Sequence, residues 1–258
     1  MSRERLDKAL TRRGLVTGRE RAQEHITAGA VMVHGIPVLK PAAMVDRGAD
    51  IKLKAETLRY VSRGGLKLEQ ALRAFNVPIE NARAIDVGAS TGGFTDCLLQ
   101  HGAASVHAVD VGYGQLAWKL RDDPRVVVLE RTNIRHLTSG MDGAPFGLAV
   151  IDCSFIGLDK VLPHVAPLLQ TGGDVVALVK PQFEAGREGV GKGGVVRDEK
   201  VREAAIQRVR DVATAGGFTV EDGVDCDTHG PSGNIEYLMH LRRTEAPVTP
   251  PELREPLD

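Results

Sequence analysis

The chain has 258 residues, 42% of them hydrophobic, with a formal net charge of −1. That supplies a sizeable core and room for two domains. Three scattered cysteines, Cys97, Cys153 and Cys226, form no C-x-x-C, so neither a disulfide frame nor a zinc site is suggested, and no metal is expected. No apolar run reaches the length of a membrane span, and the charged N-terminus carries no signal-peptide pattern. The expectation is a cytoplasmic protein that does not engage membranes.

Leu6, Ala9, Leu10 and Arg13 share one helical face, and Gly14 stops that helix. Thr17-Gly18-Arg19-Glu20 reads as a capping box opening a second helix with Ala22, Ile26 and Ala28, closed by Gly29. Val31–Gly35 and Ile51–Lys54 read as strands. Residues 1–60 hold twelve Lys or Arg against seven Asp or Glu, an excess of five, which leaves −6 for the remainder. A basic module on an acidic body suggests a polyanionic partner. With Arg5, Arg12, Arg13, Arg19 and Arg21 near the helix turn, this segment resembles the S-four-like RNA-binding domain of ribosomal proteins and rRNA-modifying enzymes. Aromatic residues are only 4% of the chain, so contact through phosphates and RNA shape is expected rather than base stacking.

Residues 59–65, including Arg63, read as a linker between an RNA-binding domain (1–58) and a second domain (66–245). Leu66, Leu68, Ala71, Leu72 and Phe75 form an amphipathic helix carrying Lys67. Strand patterns then fall near 82–88, 105–111, 126–130, 147–153, 174–180, 218–226 and 234–242. Helix patterns fall near 93–101, 115–121, 158–170 and 198–216. Such alternation predicts an α/β fold with a mainly parallel, Rossmann-like sheet, alongside the small α+β N-terminal domain. The proline-rich tail, 246–258, continues neither helix nor strand and is expected to be mobile.

The stretch Ala84–Phe94 reads strand, glycine turn, helix start. In an α/β sheet such a turn faces the ligand crevice. A dinucleotide fingerprint would need glycine at Ser90. Gly88-Ala89-Ser90-Thr91-Gly92 fits a hydrolase elbow, with Asp152 and His229 as partners, but no glycine-rich oxyanion motif precedes it. S-adenosylmethionine fits better. Asp110 ends the second strand 22 residues after Gly88, where an acid can take both ribose hydroxyls, and Asp86 suits the cationic amino-acid end. Gly88, Ser90, Thr91, Gly92, Gly93 and Phe94 complete the expected cofactor turn.

Four charged residues belong where the sheet opens: Asp152 and Lys180 at strand ends, Glu236 near another, and Lys67 from the preceding helix. A charge ending an apolar strand is costly unless paired or solvated. Alternating acids and bases could neutralise one another and serve methyl transfer to a hydroxyl. Lys180, a lysine among like charges and apolar strands, is the candidate proton acceptor. Asp152 and Glu236 would orient the lysines, and Lys67 would position the hydroxyl or a nearby phosphate.

The motifs at 86–95, Asp110–Leu116, Leu178–Glu184 and Gly230–Tyr237 resemble the TlyA family, bacterial proteins named hemolysins that are rRNA 2′-O-methyltransferases with an FtsJ-type catalytic domain. The resemblance covers nearly the whole chain. It implies that Lys67, Asp152, Lys180 and Glu236 form the family's Lys-Asp-Lys-Glu tetrad, that the substrate is rRNA in ribosomal subunits, and that the product is 2′-O-methylcytidine. Where many methyltransferases place an acid for adenine, this chain has Asn133, which could hydrogen-bond the ring. Two other readings are a non-catalytic ribosome assembly factor, which the intact tetrad opposes, and a lytic protein, which no long basic amphipathic stretch supports. Gly186–Gly193 mimics part of a P-loop, but Gly193 stands where Ser or Thr is needed, so a basic loop bordering the substrate groove is expected.

Overall fold

The computed structural model describes residues 3–27, 29–53, 59–230 and 232–244. Expectations for Ala28, Lys54, Pro231 and the tail 246–258 fall outside those residues. The chain divides into two compact units, Met1–Thr57 and Leu58–Asp258.

In the first unit, β1 (Arg3–Arg5) leads into α1 (Leu6–Arg12), then α2 (Arg19–Thr27), β2 (Val31–Val33), β3 (Ile36–Pro37), β4 (Met44–Asp46) and β5 (Ile51–Leu53). Leu6, Ala9 and Leu10 of α1 meet Ala22 and Ile26 of α2 in a small core closed by Val31, Val45 and Ile51. The i, i+3, i+4 spacing of these residues makes the helices amphipathic. β1 pairs antiparallel with β4, and β2 lies between β3 and β5. The β1–β4 ribbon is an addition to the sequence expectation. Its strands are three residues each, and Arg3–Arg5 has no apolar alternation to betray it.

The second unit opens with α3 (Gly64–Ala74), two residues earlier than the sequence suggests. The segment before it is not a free linker. Tyr60 is buried, Val61 N donates to Asp96 Oδ2 at 2.8 Å, and Gln100 Nε2 donates to the Arg59 carbonyl at 2.9 Å. A buried aromatic and satisfied backbone groups hold it against the body.

There follow β6 (Arg83–Val87), α4 (Gly93–Gln100), β7 (Ser105–Val109), α5 (Trp118–Arg121), β8 (Val126–Leu129), β9 (Phe146–Ile151) and α6 (Leu162–Val165). The chain ends through β10 (Leu169–Val179), α7 (Pro181–Glu184), α8 (Gly186–Gly189), α9 (Glu199–Ala215), β11 (Phe218–Asp225) and β12 (Tyr237–Arg243). The seven-stranded sheet has the order β11-β12-β10-β9-β6-β7-β8. β12 is antiparallel to both neighbours, and β10, β9, β6, β7 and β8 run parallel. Strand residues alternate between two cores, as the two-residue strand period requires. Ile85, Ala149, Val175 and Ala177 join α6 and α9, whereas Ala84, Leu148, Val176 and Leu178 join α3 and α4.

The single helix expected near 158–170 is broken. A 3-10 turn at Leu158–Lys160, α6, and a second 3-10 turn at Ala166–Leu168 replace it, and β10 already starts at Leu169. Pro163 and Pro167 lack the N–H groups a continuous helix needs. Likewise only Trp118–Arg121 is helical in the stretch expected at 115–121.

Candidate active site

The strand register sets the site. Val87 and Ala177 both lie opposite Ile151, so Gly88 and Asp152 leave the sheet side by side, next to Leu178 of β10, which runs on to Val179. Val179 pairs with Tyr237, which puts Lys180 and Glu236 at the next step outward on adjacent strands. Asp152 N donates to the Val87 carbonyl at 3.0 Å, locking the two strand ends together.

The four charged residues resolve into two ion pairs. Lys67, on the first turns of α3, pairs with Glu236, and both are buried. Lys180 Nζ stands 2.7 Å from Asp152 Oδ1 and donates to Ser154 Oγ at 2.9 Å. Lys180 therefore has an opposite charge as nearest neighbour, not the like charges that the sequence suggested. The reason is that β9 and β10 are adjacent and parallel, so their exits bring acid and base together. Ser154 was not anticipated. A hydroxyl two residues after a strand-end acid was the available signal.

The glycine turn is built on backbone geometry. Gly88 has φ +88°, and a Cβ there would lie 2.7 Å from the Asp152 carbonyl oxygen. A side chain at Gly92 would run into Leu116 and Leu120, and one at Gly93 would meet Ser62 and the Gly65 nitrogen. These glycines thus admit neighbouring protein as well as leaving backbone open. Thr91 accepts from Ala117 N at 3.1 Å, and Phe94 is core. Asp110 accepts from Ser90 N and Gly112 N, each at 2.7 Å, so it braces the turn it faces. Ser90, at φ +48°, directs its hydroxyl to Gln115 Oε1 at 3.2 Å. That contact gives no support to a hydrolase elbow.

Asp86 is fully buried. Its Oδ2 accepts from Thr95 N at 2.9 Å and Thr95 Oγ1 at 2.6 Å, and its Oδ1 has no hydrogen-bond partner. Burial pushes its carboxyl up to about 7. An orphaned buried acceptor fits a cationic or N–H-bearing ligand group. Asn133 Oδ1 caps the turn Ile134–His136 by accepting from Arg135 N at 3.1 Å, which leaves its amide NH2 to donate. Glu184 is a buried acid to which the sequence assigns no role. Burial raises it to about 7, and it accepts from Leu158 N at 2.9 Å.

In the N-terminal unit the arginines form an internal network. Asp7 is fully buried and accepts from Arg5 Nη2 at 2.8 Å, Arg19 Nε at 3.1 Å and Gln23 Nε2 at 3.2 Å. The hydrogen bonds from Arg5 hold its carboxyl well below the usual range. Arg12 pairs with Glu4 at 2.6 Å, and Arg13 donates to the carbonyls of Ala49 and Arg47 at 2.7 and 2.6 Å. Arg21 donates to Thr17 Oγ1 at 3.2 Å. Arg63, in the second unit, is the half-buried N-cap of α3.

A mainly parallel sheet carrying a glycine turn, an acid at each of its first two strands and strand-end ion pairs defines a Rossmann-type methyltransferase. The FtsJ-like methyltransferase model matches residues 60–243, and the S4 domain model matches residues 4–51. YqxC of Bacillus subtilis (strain 168) is 51% identical over 241 residues, 93% of this chain and 85% of that protein. The 16S/23S rRNA (cytidine-2′-O)-methyltransferase TlyA of Mycobacterium tuberculosis (strain ATCC 25618 / H37Rv) is 48% identical over 241 residues, 93% of this chain and 90% of that protein. A solved structure of a hemolysin-named protein from Streptococcus thermophilus is 47% identical, covers 96% of this chain and 90% of that one, and superposes with a TM-score of 0.77. The chain belongs to the TlyA family of FtsJ-like methyltransferases, with an S4 domain ahead of the methyltransferase body. Among the described residues no helix is long and apolar enough to cross a membrane.

Proposed function

We propose that this protein methylates the ribose 2′-hydroxyl of cytidine in ribosomal RNA, using S-adenosylmethionine and acting on ribosomal subunits in the cytoplasm. The observation that carries this reading is the pair of ion pairs, Lys67–Glu236 and Lys180–Asp152, at the carboxyl edge of the sheet beside the glycine turn. The residues present fit the cofactor. Asp86 Oδ1 is a buried acceptor without a partner, and Asp110 offers a carboxylate to the ribose hydroxyls. Backbone at 88–93, Phe94 and Asn133 would complete the pocket. Bound there, the cofactor supplies an electrophilic methyl group on a sulfonium.

The protein's task is alignment and proton handling. A ribose hydroxyl is a weak nucleophile at neutral pH. Lys180, held by Asp152 and Ser154, is placed to orient that hydroxyl and, in its neutral amine form, to take up its proton. Lys67, fixed by Glu236, directs a second positive charge at the same oxygen or a neighbouring phosphate. The S4 domain presents Arg5, Arg12, Arg19 and Arg21 to RNA phosphates, with Asp7 holding two of them in place. Mapping 2′-O-methyl groups in rRNA from cells with and without this protein tests the reading. A cytidine methylated only when the protein is present supports it, and identical maps refute it.

A further inference from the structure

Between α8 and α9 the chain makes a small hairpin. Gly191 N donates to the Val195 carbonyl at 3.1 Å, and Gly191 and Val195 form an isolated β-bridge. The tip is Lys192-Gly193-Gly194, with φ +84° and +76° at the two glycines. A Cβ at either glycine would meet nothing within 4 Å, so glycine is there for backbone shape and not for space.

What fixes this hairpin is Asn234, which is only 1% exposed. Its Oδ1 accepts from Val196 N at 2.9 Å and its Nδ2 donates to the Gly194 carbonyl at 2.9 Å. One side chain thus satisfies both backbone groups, as a neighbouring strand would. Asn234 lies two residues before Glu236 in the same tight segment. Gly230 N donates to the Asn234 carbonyl at 2.9 Å, and a Cβ at Gly230 would sit 2.8 Å from Glu236 Oε1. The staple therefore ties the hairpin to the strand end that holds the Lys67–Glu236 pair.

The charges on and just after the hairpin differ from those of the S4 domain. Lys192 and Arg197 are exposed, and among the described residues neither takes part in an ion pair. Arg12 and Arg19, in contrast, are already paired with carboxylates. Free cations on a rigid support beside a site for a ribose are suited to the phosphates that flank it.

We propose that Asn234 is a positioning residue that staples hairpin 191–195 beside the tetrad, and that Lys192 at its tip and Arg197 just beyond it grip the RNA backbone next to the target nucleotide. This rests on the methyltransferase reading above. The test uses the full-length protein, with ribosomal subunits and labelled S-adenosylmethionine. Lys192→Ala/Arg197→Ala should raise KM for RNA about 10-fold with kcat changed less than about twofold, and should make the dependence of RNA affinity on salt shallower by roughly one to two slope units. Asn234→Ala should reproduce the KM loss, and the triple variant should be no worse than either parent, because the staple acts through the hairpin. Amide exchange at Val196 should quicken in Asn234→Ala. An unchanged salt slope and KM in the double variant overturns the proposal, as does an additive loss in the triple variant. The double variant alters only exposed side chains, so it carries the test if Asn234→Ala fails to fold. Absence of methyl transfer by the unaltered protein would instead remove the function reading.

Discussion

Lys180 Nζ stands 2.7 Å from Asp152 Oδ1, at the exits of two adjacent parallel strands. The strand register alone brings these groups together, and Ser154 completes the cradle. Lys180→Ala should leave S-adenosylmethionine binding nearly intact and lower methyl transfer at least about 100-fold, the usual scale for a removed general base. Calorimetry and labelled-methyl incorporation measure the two effects. Substantial residual transfer would make Lys180 a strand-end charge.

The Lys67–Glu236 pair is buried on both sides. Glu236→Ala would leave an ammonium without its partner, at a stability loss of about 3–5 kcal/mol. Replacing both, as Lys67→Met/Glu236→Met, should recover most of that stability, since buried pairs are often matched by apolar residues. Activity should not return. Urea unfolding beside the methyl-transfer assay separates the two roles, and an active double variant would remove the pair from catalysis.

Asp86 gives a pH signature. Its folded carboxyl is pushed by burial from an ordinary 3.8 up to about 7. Between those values the unfolded chain has released a proton that the folded chain keeps. Stability from this group is therefore greatest at low pH, falls as pH rises through that window, and levels off above about 7. Glu184, raised to about 7 by burial, adds a slope of the same sign. Asp86→Asn should flatten part of the decline and abolish any rise in S-adenosylmethionine affinity across pH 7. Equal slopes in both proteins would contradict this assignment.

The arginines of the S4 domain should divide by their contacts. Arg13 donates to two carbonyls, so Arg13→Ala should destabilise the unit by roughly 1–3 kcal/mol. Arg12→Ala and Arg21→Ala should spare the fold and make the salt dependence of RNA affinity shallower by roughly one slope unit each. Thermal unfolding and filter binding at several salt concentrations distinguish them. Unchanged slopes would return Arg12 and Arg21 to the solvated surface.

The features readable in the sequence were those with a local pattern. Ala84–Gly88 gives strand then turn, Asp110 follows at ribose distance, and Lys67, Asp152, Lys180 and Glu236 stand out as charges beside apolar runs. The partition of those four into two pairs was not legible, because it depends on which strands become neighbours. Asp7 does not stand out in the sequence, because an acid at a helix start reads as ordinary dipole chemistry, while its burial and its hold on Arg19 arise from the packing of α1 on α2. Asn234 is silent in sequence for the same reason, since its two partners lie 38 and 40 residues away.

If the tetrad promotes methyl transfer to a ribose hydroxyl of cytidine, the nucleoside that carries the methyl identifies it. The direct measurement incubates the purified protein with ribosomal subunits and labelled S-adenosylmethionine, digests the RNA to nucleosides and separates them. Label is expected in 2′-O-methylcytidine with the unaltered protein and at about 100-fold lower level with Lys180→Ala. Label on a base, or equal labelling by both proteins, would contradict it.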